Sequence, residues 1–248
     1  MPTLHLLGTG AALAGASRTT TMLAFESESS VIVVDCGGDA VQRLLMAKVP
    51  LERIEALILT HEHPDHVSGF PLFMEKIWLA QRRRPLPVYG LKEALSQARR
   101  TFETFNTSGW KGMPEIQWRE VERRGGAEVL EDEQWRITAS PGEHSVPVIG
   151  IQVEDIGSGK AVAYSADTER SDAITRLARG ADILVHEASG DFSGHTGIED
   201  AARVAADAGA RRLVLVHLPP EPSERELEAA RSHIPAAEFG TDGGRYDF

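Results

Sequence analysis

Residues 60–69, THEHPDHVSG, place three histidines and an aspartate within six consecutive positions, directly after the apolar run 54–59. The four residues are His61, His63, Asp65 and His66. An apolar run of this length is typical of a buried strand, so these side chains leave the edge of a sheet on a loop. Neutral imidazoles and carboxylates are the ligands that divalent transition metals prefer. The spacing HxHxDH therefore predicts half of a metal site, against the alternative of isolated histidines on a solvated loop.

Three more candidate ligands lie far along the chain. His144, Asp167 and His217 each come at or just after the end of a strand-like run. Folds that alternate strands and helices place their active groups at such strand ends. Taken alone, each would more often be a turn or capping residue. Taken together, they complete a site for two ions, with His61, His63 and His144 on one ion, Asp65, His66 and His217 on the other, and Asp167 between them.

Strand and helix patterns alternate along the chain in two parts that resemble each other loosely. The first part predicts strands at 31–34 and 56–59, helices at 40–47, 70–80 and 92–105, and antiparallel strands at 116–121, 128–130, 135–140 and 148–153. The second part predicts strands at 161–165, 182–186 and 212–216, helices at 171–179, 197–208 and 223–232, and a last short strand. This order favours an α/β (α+β) fold, a four-layer αββα sandwich of two mixed β-sheets flanked by helices, with residues 1–248 as one domain and the metals at the shared edge.

The composition agrees with a compact enzyme. The 248 residues are 42% hydrophobic, which is enough for one sizeable core. No segment approaches the roughly 18 uninterrupted apolar residues of a membrane helix, and the start of the chain lacks the features of a secretory signal. The one cysteine, Cys36, cannot form an internal disulfide, so we expect it to act as a small packed residue in a cytoplasmic protein with no membrane contact.

Several motifs together resemble the ribonuclease Z-like branch of the metallo-β-lactamase fold superfamily. They occur in the order that this branch uses, namely LHLLGTGAA, VIVVDCGGD, THEHPDHVSG, His144, SADT, ILVHEAS, GHTGIEDA and VLVHL. The resemblance implies a binuclear zinc phosphodiesterase in which Asp35 is a structural acid beneath the metal loop. It also implies that Glu187 and His195 act beside the metals. HxHxDH marks the superfamily, whereas HEAS and GHTG favour this branch over lactamases and thiolesterases.

The implied cofactors are two divalent ions, with Zn²⁺ favoured and Mn²⁺ or iron as alternatives. A hydroxide that bridges them would attack the phosphodiester, because bound zinc lowers the pKa of water to about 7. His195 is the candidate general acid, and Glu187 would keep its imidazole protonated and oriented. The alternative is that His195 only caps the following helix. The residues expected to take part in catalysis are Asp65, His195 and Glu187.

The substrate is the harder question. A net charge of −11 disfavours a polyanion, although the triplet Arg82, Arg83 and Arg84 is a candidate phosphate contact. Ribonuclease Z proteins that mature tRNA carry a long arm between the residues that correspond to His144 and Asp167. Only 22 residues separate these two positions here. We therefore expect a small or single-stranded phosphodiester, with tRNA 3′ processing as the first alternative.

Two further alternatives stay open at this point. The same scaffold hydrolyses other esters, such as sulfate esters, lactones and thioesters. Some members are non-catalytic metal-binding partner proteins, although those usually lack ligands and none is missing here. The apolar helix 71–80, with Phe73, Ile77 and Trp78, could form a homodimer face, a substrate rim or simply part of the core.

Overall fold

The computed structural model describes all 248 residues and contains two mixed seven-stranded sheets. In the first sheet the strands lie in the spatial order β14, β1, β2, β3, β4, β5, β6. Their bounds are β1 Thr3–Gly8, β2 Met22–Glu26, β3 Val31–Val34, β4 Ile54–Leu59, β5 Leu86–Gly90, β6 Ile116–Glu120 and β14 Arg245–Asp247. The pairs from β3 to β6 are parallel, and the others are antiparallel.

The second sheet has the order β13, β12, β11, β10, β9, β8, β7. Its strands are β7 Ala127–Glu131, β8 Trp135–Pro141, β9 Ile149–Asp155, β10 Lys160–Tyr164, β11 Ile183–Glu187, β12 Leu213–Val216 and β13 Ala237–Phe239. The pairs from β10 to β13 are parallel, and those from β7 to β10 are antiparallel. Each sheet is thus parallel over half of its width, which brings several strand carboxyl ends to one edge.

Helices cover the outer face of each sheet. They are α1 Ala40–Met46, α2 Pro64–Val67, α3 Phe70–Leu79 and α4 Lys92–Glu103 on the first sheet, and α5 Asp172–Leu177, α6 Ile198–Ala208 and α7 Glu224–Ala230 on the second, with a 3₁₀ turn at Leu51–Arg53. One apolar core fills the space between the sheets, and two others lie beneath the helices. The four-layer αββα sandwich predicted from the sequence is therefore confirmed.

The central strands are buried on both faces, as their nearly continuous apolar sequences require. In β4, Ala56 and Ile58 face the other sheet, whereas Leu57 and Leu59 face the helices. Phe73 and Ile77 of α3 are also buried in the helix-side core, so this part of the helix belongs to the core. None of the helices is long and apolar enough to cross a membrane.

Two expectations about the strands were wrong. β6 pairs with β5 in parallel and belongs to the first sheet, whereas the sequence suggested a run of antiparallel strands. The reason is that alternation of side chains reports burial but not strand direction. β1, β2 and β13 have no counterpart among the expected strands, and β13 has only three residues, too few to show a periodic pattern.

Strained backbone is concentrated where the strands end. Asp35 after β3, Ala166 after β10 and His217 after β12 have φ values of 60°, 52° and 52°. A positive φ is costly for residues other than glycine and persists where the surrounding structure demands it. Three loops of the shared edge therefore turn sharply at a polar residue, or directly before one in the case of Ala166 and Asp167.

Candidate metal centre

The seven predicted ligands come from four separate loops that meet at one edge of the sandwich. Four of them follow β4 in the loop that leads into α2. His144 follows β8, Asp167 follows β10 and His217 follows β12. Their nitrogen and oxygen atoms form two groups that share Asp167. The first group contains His61, His63, His144 and Asp167, and the second contains Asp65, His66, Asp167 and His217.

In the first group three imidazoles converge on one point. His63 Nδ1 lies 3.2 Å from His61 Nε2 and 3.1 Å from His144 Nε2. His61 Nε2 also lies 3.8 Å from Asp167 Oδ2. Ligands about 2.0–2.1 Å from a tetrahedral ion lie about 3.3 Å from one another. The spacing of these nitrogens is therefore that of ligands around one ion.

The second group is built around the carboxylate of Asp65. Its Oδ2 lies 3.4 Å from His66 Nε2 and 3.2 Å from His217 Nε2. The Asp167 carboxylate is within 3.6 Å of His66 Nε2 through Oδ1 and within 3.3 Å of His217 Nε2 through Oδ2. Asp167 is thus positioned to contribute to both groups.

Two buried atoms of this cluster have no hydrogen-bond partner within the protein. They are His66 Nε2 and Asp167 Oδ1, and both side chains are nearly inaccessible to solvent. A buried polar atom without a partner is costly, and a cation between them would satisfy both. This observation, together with a donor set of imidazoles and carboxylates, fits two divalent metal ions.

Asp35 fixes the orientation of two of the histidines from below. Its Oδ2 accepts hydrogen bonds from His66 Nδ1 and Thr60 Oγ1, each at 2.8 Å. Because the Thr60 hydroxyl donates to Asp35, it accepts from Nδ1 of His61 at 3.0 Å. The Nδ1 atoms are thereby occupied, and the Nε2 atoms face the centre. Asp35 has the supporting geometry that the resemblance implied, with no contact of its own to the ligand atoms of the first group.

His217 and His144 are oriented in the same way by other partners. His217 Nδ1 lies 2.6 Å from Ser189 Oγ, which donates to Glu187 Oε2 at 2.9 Å. His144 Nδ1 donates to the carbonyl of Gly194 at 2.6 Å. Hydrogen bonds of this kind select one tautomer and leave the other nitrogen free for a metal. Four imidazoles thus present Nε2, and His63 presents Nδ1.

Burial and charge act in opposite directions on the titration of this cluster. Burial lowers the pKa of His61 well below its ordinary value, and burial and His144 lower the pKa of His63. Burial also opposes charge on His66, but Asp167 and Asp35 raise the pKa of this residue well above its usual range. Burial would raise the pKa of Asp167, yet His217 and His66 hold it well below the usual value. The carboxylates therefore stay ionised, as metal ligands must be.

His195 lies beside both groups and is bonded to a buried carboxylate. Its Nδ1 donates to Glu187 Oε1 at 2.9 Å, and Glu187 is completely buried. The imidazole centroid is 4.9 Å from that of His144 and 5.6 Å from that of His217. Burial lowers the pKa of His195, but the hydrogen bond and charge of Glu187 outweigh it, so that this pKa is raised overall. The hydrogen bond anticipated between these residues is present.

His186, the neighbour of Glu187, does not belong to the ligand groups. It is fully buried, donates through Nδ1 to the carbonyl of Glu187 at 2.8 Å, and burial lowers its pKa. Such a histidine is packed in the interior, and its lowered pKa favours the neutral form.

The arginine triplet lies at the opposite end of β4 from the ligands. Arg82 is 4% exposed and donates to the carbonyl of Ile54, the first residue of β4. Arg84 pairs with Glu55 at 2.7 Å, and Arg83 donates to the carbonyl of Trp78 at 2.6 Å. A six-residue strand is about 20 Å long, so these contacts are remote from His61. All three guanidinium groups are engaged in local structure, which does not support the predicted phosphate contact.

The sequence reasoning missed several residues that support the ligands. Thr60 and Ser189 lie inside the quoted motifs, so their proximity to histidines in strand-end loops was the available signal. Glu169 gave no such signal: its carboxylate accepts the N–H of Gly194 at 2.7 Å, and its own N–H donates to Glu143 beside His144. It joins two loops that are far apart in sequence.

Two glycines allow the loop after β3 to touch the metal loop. A Cβ on Gly37 would lie 1.7 Å from the carbonyl oxygen of Asp65, and one on Gly69 would lie 2.3 Å from the carbonyl oxygens of Cys36 and Gly38. Backbone atoms on both sides leave no room for adjustment without displacing a loop that carries ligands.

We expect Gly37→Ala to lower the free energy of unfolding by about 1–3 kcal/mol through overpacking. It should also reduce bound metal, because Asp65 and His66 would move with their backbone. Thermal unfolding and metal analysis measure both effects. Gly109→Ala is the matched control, since a Cβ there would meet nothing within 4 Å. Full metal content in the Gly37 variant would contradict the expected close contact.

Comparison with known proteins gives a family match over most of the chain. Residues 31–218 match the family described as "Beta-lactamase superfamily domain". Ribonuclease Z from Methanothermobacter thermautotrophicus is 27% identical over 299 aligned positions, covering 98% of this chain and 95% of that protein. The probable metallo-hydrolase YhfI from Bacillus subtilis is 28% identical, and the match covers 82% of each chain.

Solved structures show the same fold. The crystal structure of the metallo-β-lactamase fold protein YhfI has a TM-score of 0.82 at 23% identity and covers 99% of this chain and 98% of that chain. The crystal structure of the short form of human tRNase Z has a TM-score of 0.81 at 24% identity with the same coverage. At these identities the likeness concerns the architecture described above.

Proposed function

The chain belongs to the β-lactamase superfamily and is a metal-dependent hydrolase of ribonuclease Z-like type, and from this premise we propose that it cleaves phosphodiester bonds with two divalent ions, zinc being the favoured metal. The observation that carries the proposal is the pair of ligand groups that share Asp167. His61, His63 and His144 would hold one ion, and Asp65, His66 and His217 the other. When bound, two such ions acidify a water molecule and stabilise negative charge that develops at phosphorus.

The chain's own residues supply the proton for the leaving group. His195 uses Nδ1 for Glu187, which leaves Nε2 available to a substrate between the two ligand groups. The raised pKa of His195 increases the protonated fraction of this imidazole near neutral pH, as a general acid requires. Glu187 is also held by the N–H groups of Thr168 and Ser189, each at 3.0 Å, so the carboxylate is fixed in place. We propose that His195 protonates the departing alkoxide and that Glu187 orients the imidazole of His195.

The substrate is proposed to be small or flexible. Between His144 and Asp167 the chain forms only β9, a tight turn and β10, which leaves no room for a substrate-clasping arm. The alignment with the archaeal ribonuclease Z is longer than this chain, so that relative carries insertions that are absent here. The net charge of −11 further disfavours a long polyanion.

Processing of tRNA 3′ ends is the second candidate function. It is favoured by the relatives named ribonuclease Z, which match this chain over nearly its whole length. It would require accurate cleavage of a precursor tRNA without the arm. A precursor tRNA added to the substrate panel below, with the cleavage position mapped, separates this function from hydrolysis of small diesters.

The deciding experiment is a substrate panel with the metal-loaded protein. We expect hydrolysis of bis(p-nitrophenyl) phosphate and little turnover of an aryl sulfate, a lactone or a thioester. Metal analysis on the same sample should find close to two ions per chain. Preferred turnover of one of the other esters would reassign the reaction. Well under one ion per chain, with no turnover of any ester, would instead indicate a non-catalytic protein.

A further inference from the structure

An exposed aromatic side chain lies next to His195. Phe192 is 55% exposed, and its ring centroid is 4.7 Å from that of His195 with the two planes inclined by 46°. This ring therefore leaves much of its apolar surface in water, where burial against a ligand would be favourable. A single exposed apolar residue is ordinary, but this one lies beside the proposed proton donor, where a substrate must bind.

The turn from Gly190 to Thr196 holds Phe192 in one position. The N–H of Phe192 donates to the carbonyl of Gly190 at 3.1 Å, and the N–H of His195 donates to the carbonyl of Phe192 at 2.9 Å. Gly190 has a φ of 137°, and a Cβ there would lie 3.1 Å from the Phe192 ring. The phenyl ring therefore packs over a glycine, and the turn brings it and His195 side by side.

The same turn is anchored to a predicted metal ligand. Gly194 accepts from His144 Nδ1 at 2.6 Å and donates to Glu169 Oε1 at 2.7 Å. A Cβ on Gly194 would lie 2.9 Å from His144 Nδ1, so this contact requires glycine. The distance between Phe192 and the ligand groups is thus set by hydrogen bonds before any substrate binds. A pre-positioned apolar surface costs little ordering when it binds a ring.

We propose that Phe192 determines specificity by stacking against a nucleobase on the leaving-group side of the scissile bond. The inference rests on the proposed function, because His195 must face the leaving oxygen for Phe192 to face the group attached to it. Aromatic faces stack on every base with little preference for its identity. The substrate class would then be phosphodiesters whose leaving alcohol is a nucleoside.

The test combines protein variants with substrates that lack one base. Dithymidine monophosphate and its two singly abasic analogues are cleaved by the zinc-loaded wild type and by Phe192→Ala, Phe192→Leu and Phe192→Tyr. Product analysis identifies which nucleoside leaves. Leu79→Ala is the control, since Leu79 is an exposed apolar residue at the far end of α3. Thermal unfolding and metal content verify that each variant is folded and loaded.

For the wild type, removal of the leaving-side base should raise KM by about 5- to 150-fold, the range expected for one stacked base. Phe192→Ala should raise KM for the intact diester by a similar factor and have little further effect on the analogue without that base. Phe192→Tyr should retain most of the affinity, and Phe192→Leu, which keeps an apolar side chain without a flat ring, should lose it.

Two results would overturn the stacking role while leaving the hydrolase proposal intact. One is equal loss by Phe192→Ala on all three diesters, which indicates a structural role. The other is a wild-type KM that does not depend on the leaving-side base. If the wild type cleaves neither these diesters nor bis(p-nitrophenyl) phosphate, the proposed function itself fails and the stacking role fails with it.

Discussion

Asp167→Ala is expected to abolish binding of at least one metal ion and to reduce phosphodiester hydrolysis by about 10³-fold or more. A residue that only supports a ligand typically costs about 10–100-fold in metal affinity or activity, so the expected loss is larger than that. Asp167 is the one side chain that belongs to both ligand groups. Its two oxygens lie 3.3–3.8 Å from Nε2 of three histidines. Without its charge, the first group would contain no carboxylate, and Asp65 alone would offset the charge of two cations.

Metal analysis by mass spectrometry and initial rates on bis(p-nitrophenyl) phosphate measure the effect. Asp167→Asn keeps the size of the side chain and removes its charge. If the charge is what matters, this variant should lose nearly as much bound metal and activity as Asp167→Ala. Asp207→Ala is the matched control, because Asp207 is an exposed partner of Arg170 and such pairs contribute little. Two bound ions and a wild-type rate in Asp167→Ala would refute the shared-ligand arrangement.

His195→Ala is expected to lower kcat by about 10²–10⁴-fold on a diester with an alkoxide leaving group, the range for loss of a general acid. The effect on bis(p-nitrophenyl) phosphate should be far smaller, because nitrophenolate departs without a proton. Metal content should be unchanged, since Nδ1 of His195 is bonded to Glu187 and the imidazole is not needed to complete the two ligand groups that share Asp167.

The comparison between leaving groups separates protonation from positioning. A structural role for His195, such as capping α6, would reduce both reactions by the same factor. His233→Ala is the control, because His233 is exposed and its nearest carboxylate, on Glu199, is 3.9 Å away. Loss of metal from His195→Ala would assign this residue to a ligand role and contradict its assignment as a proton donor.

The architecture and the ligand cluster could both be predicted from local patterns. Apolar runs that end in histidine or aspartate report a strand and the polar loop after it, and this information is contained in neighbouring residues. Because carboxyl ends of parallel strands meet at one edge, the runs before His61, Asp167 and His217 already imply a common location. The resemblance to a family added the roles expected of Glu187 and His195.

The same patterns could not reveal where charged or exposed side chains point. Arg82 to Arg84 follow the helix that leaves the metal loop, and nothing in the triplet indicates that α3 carries them to the beginning of β4. Phe192 lies between two quoted motifs, but its exposure follows from the hydrogen bonds of one turn. The direction of β6 likewise depends on its neighbour in space.

By itself, the sequence determined which side chains can bind metal and that they follow strands, because residue type and periodicity are local properties. Only the tertiary structure decided which nitrogen of each imidazole faces the centre. That choice depends on Asp35, Thr60, Ser189 and the carbonyl of Gly194, which accept hydrogen bonds from histidines up to 50 residues away. A hydrogen bond between distant loops exists only when both strands are in their sheet positions, so the metal-binding state of the histidines is a product of the fold.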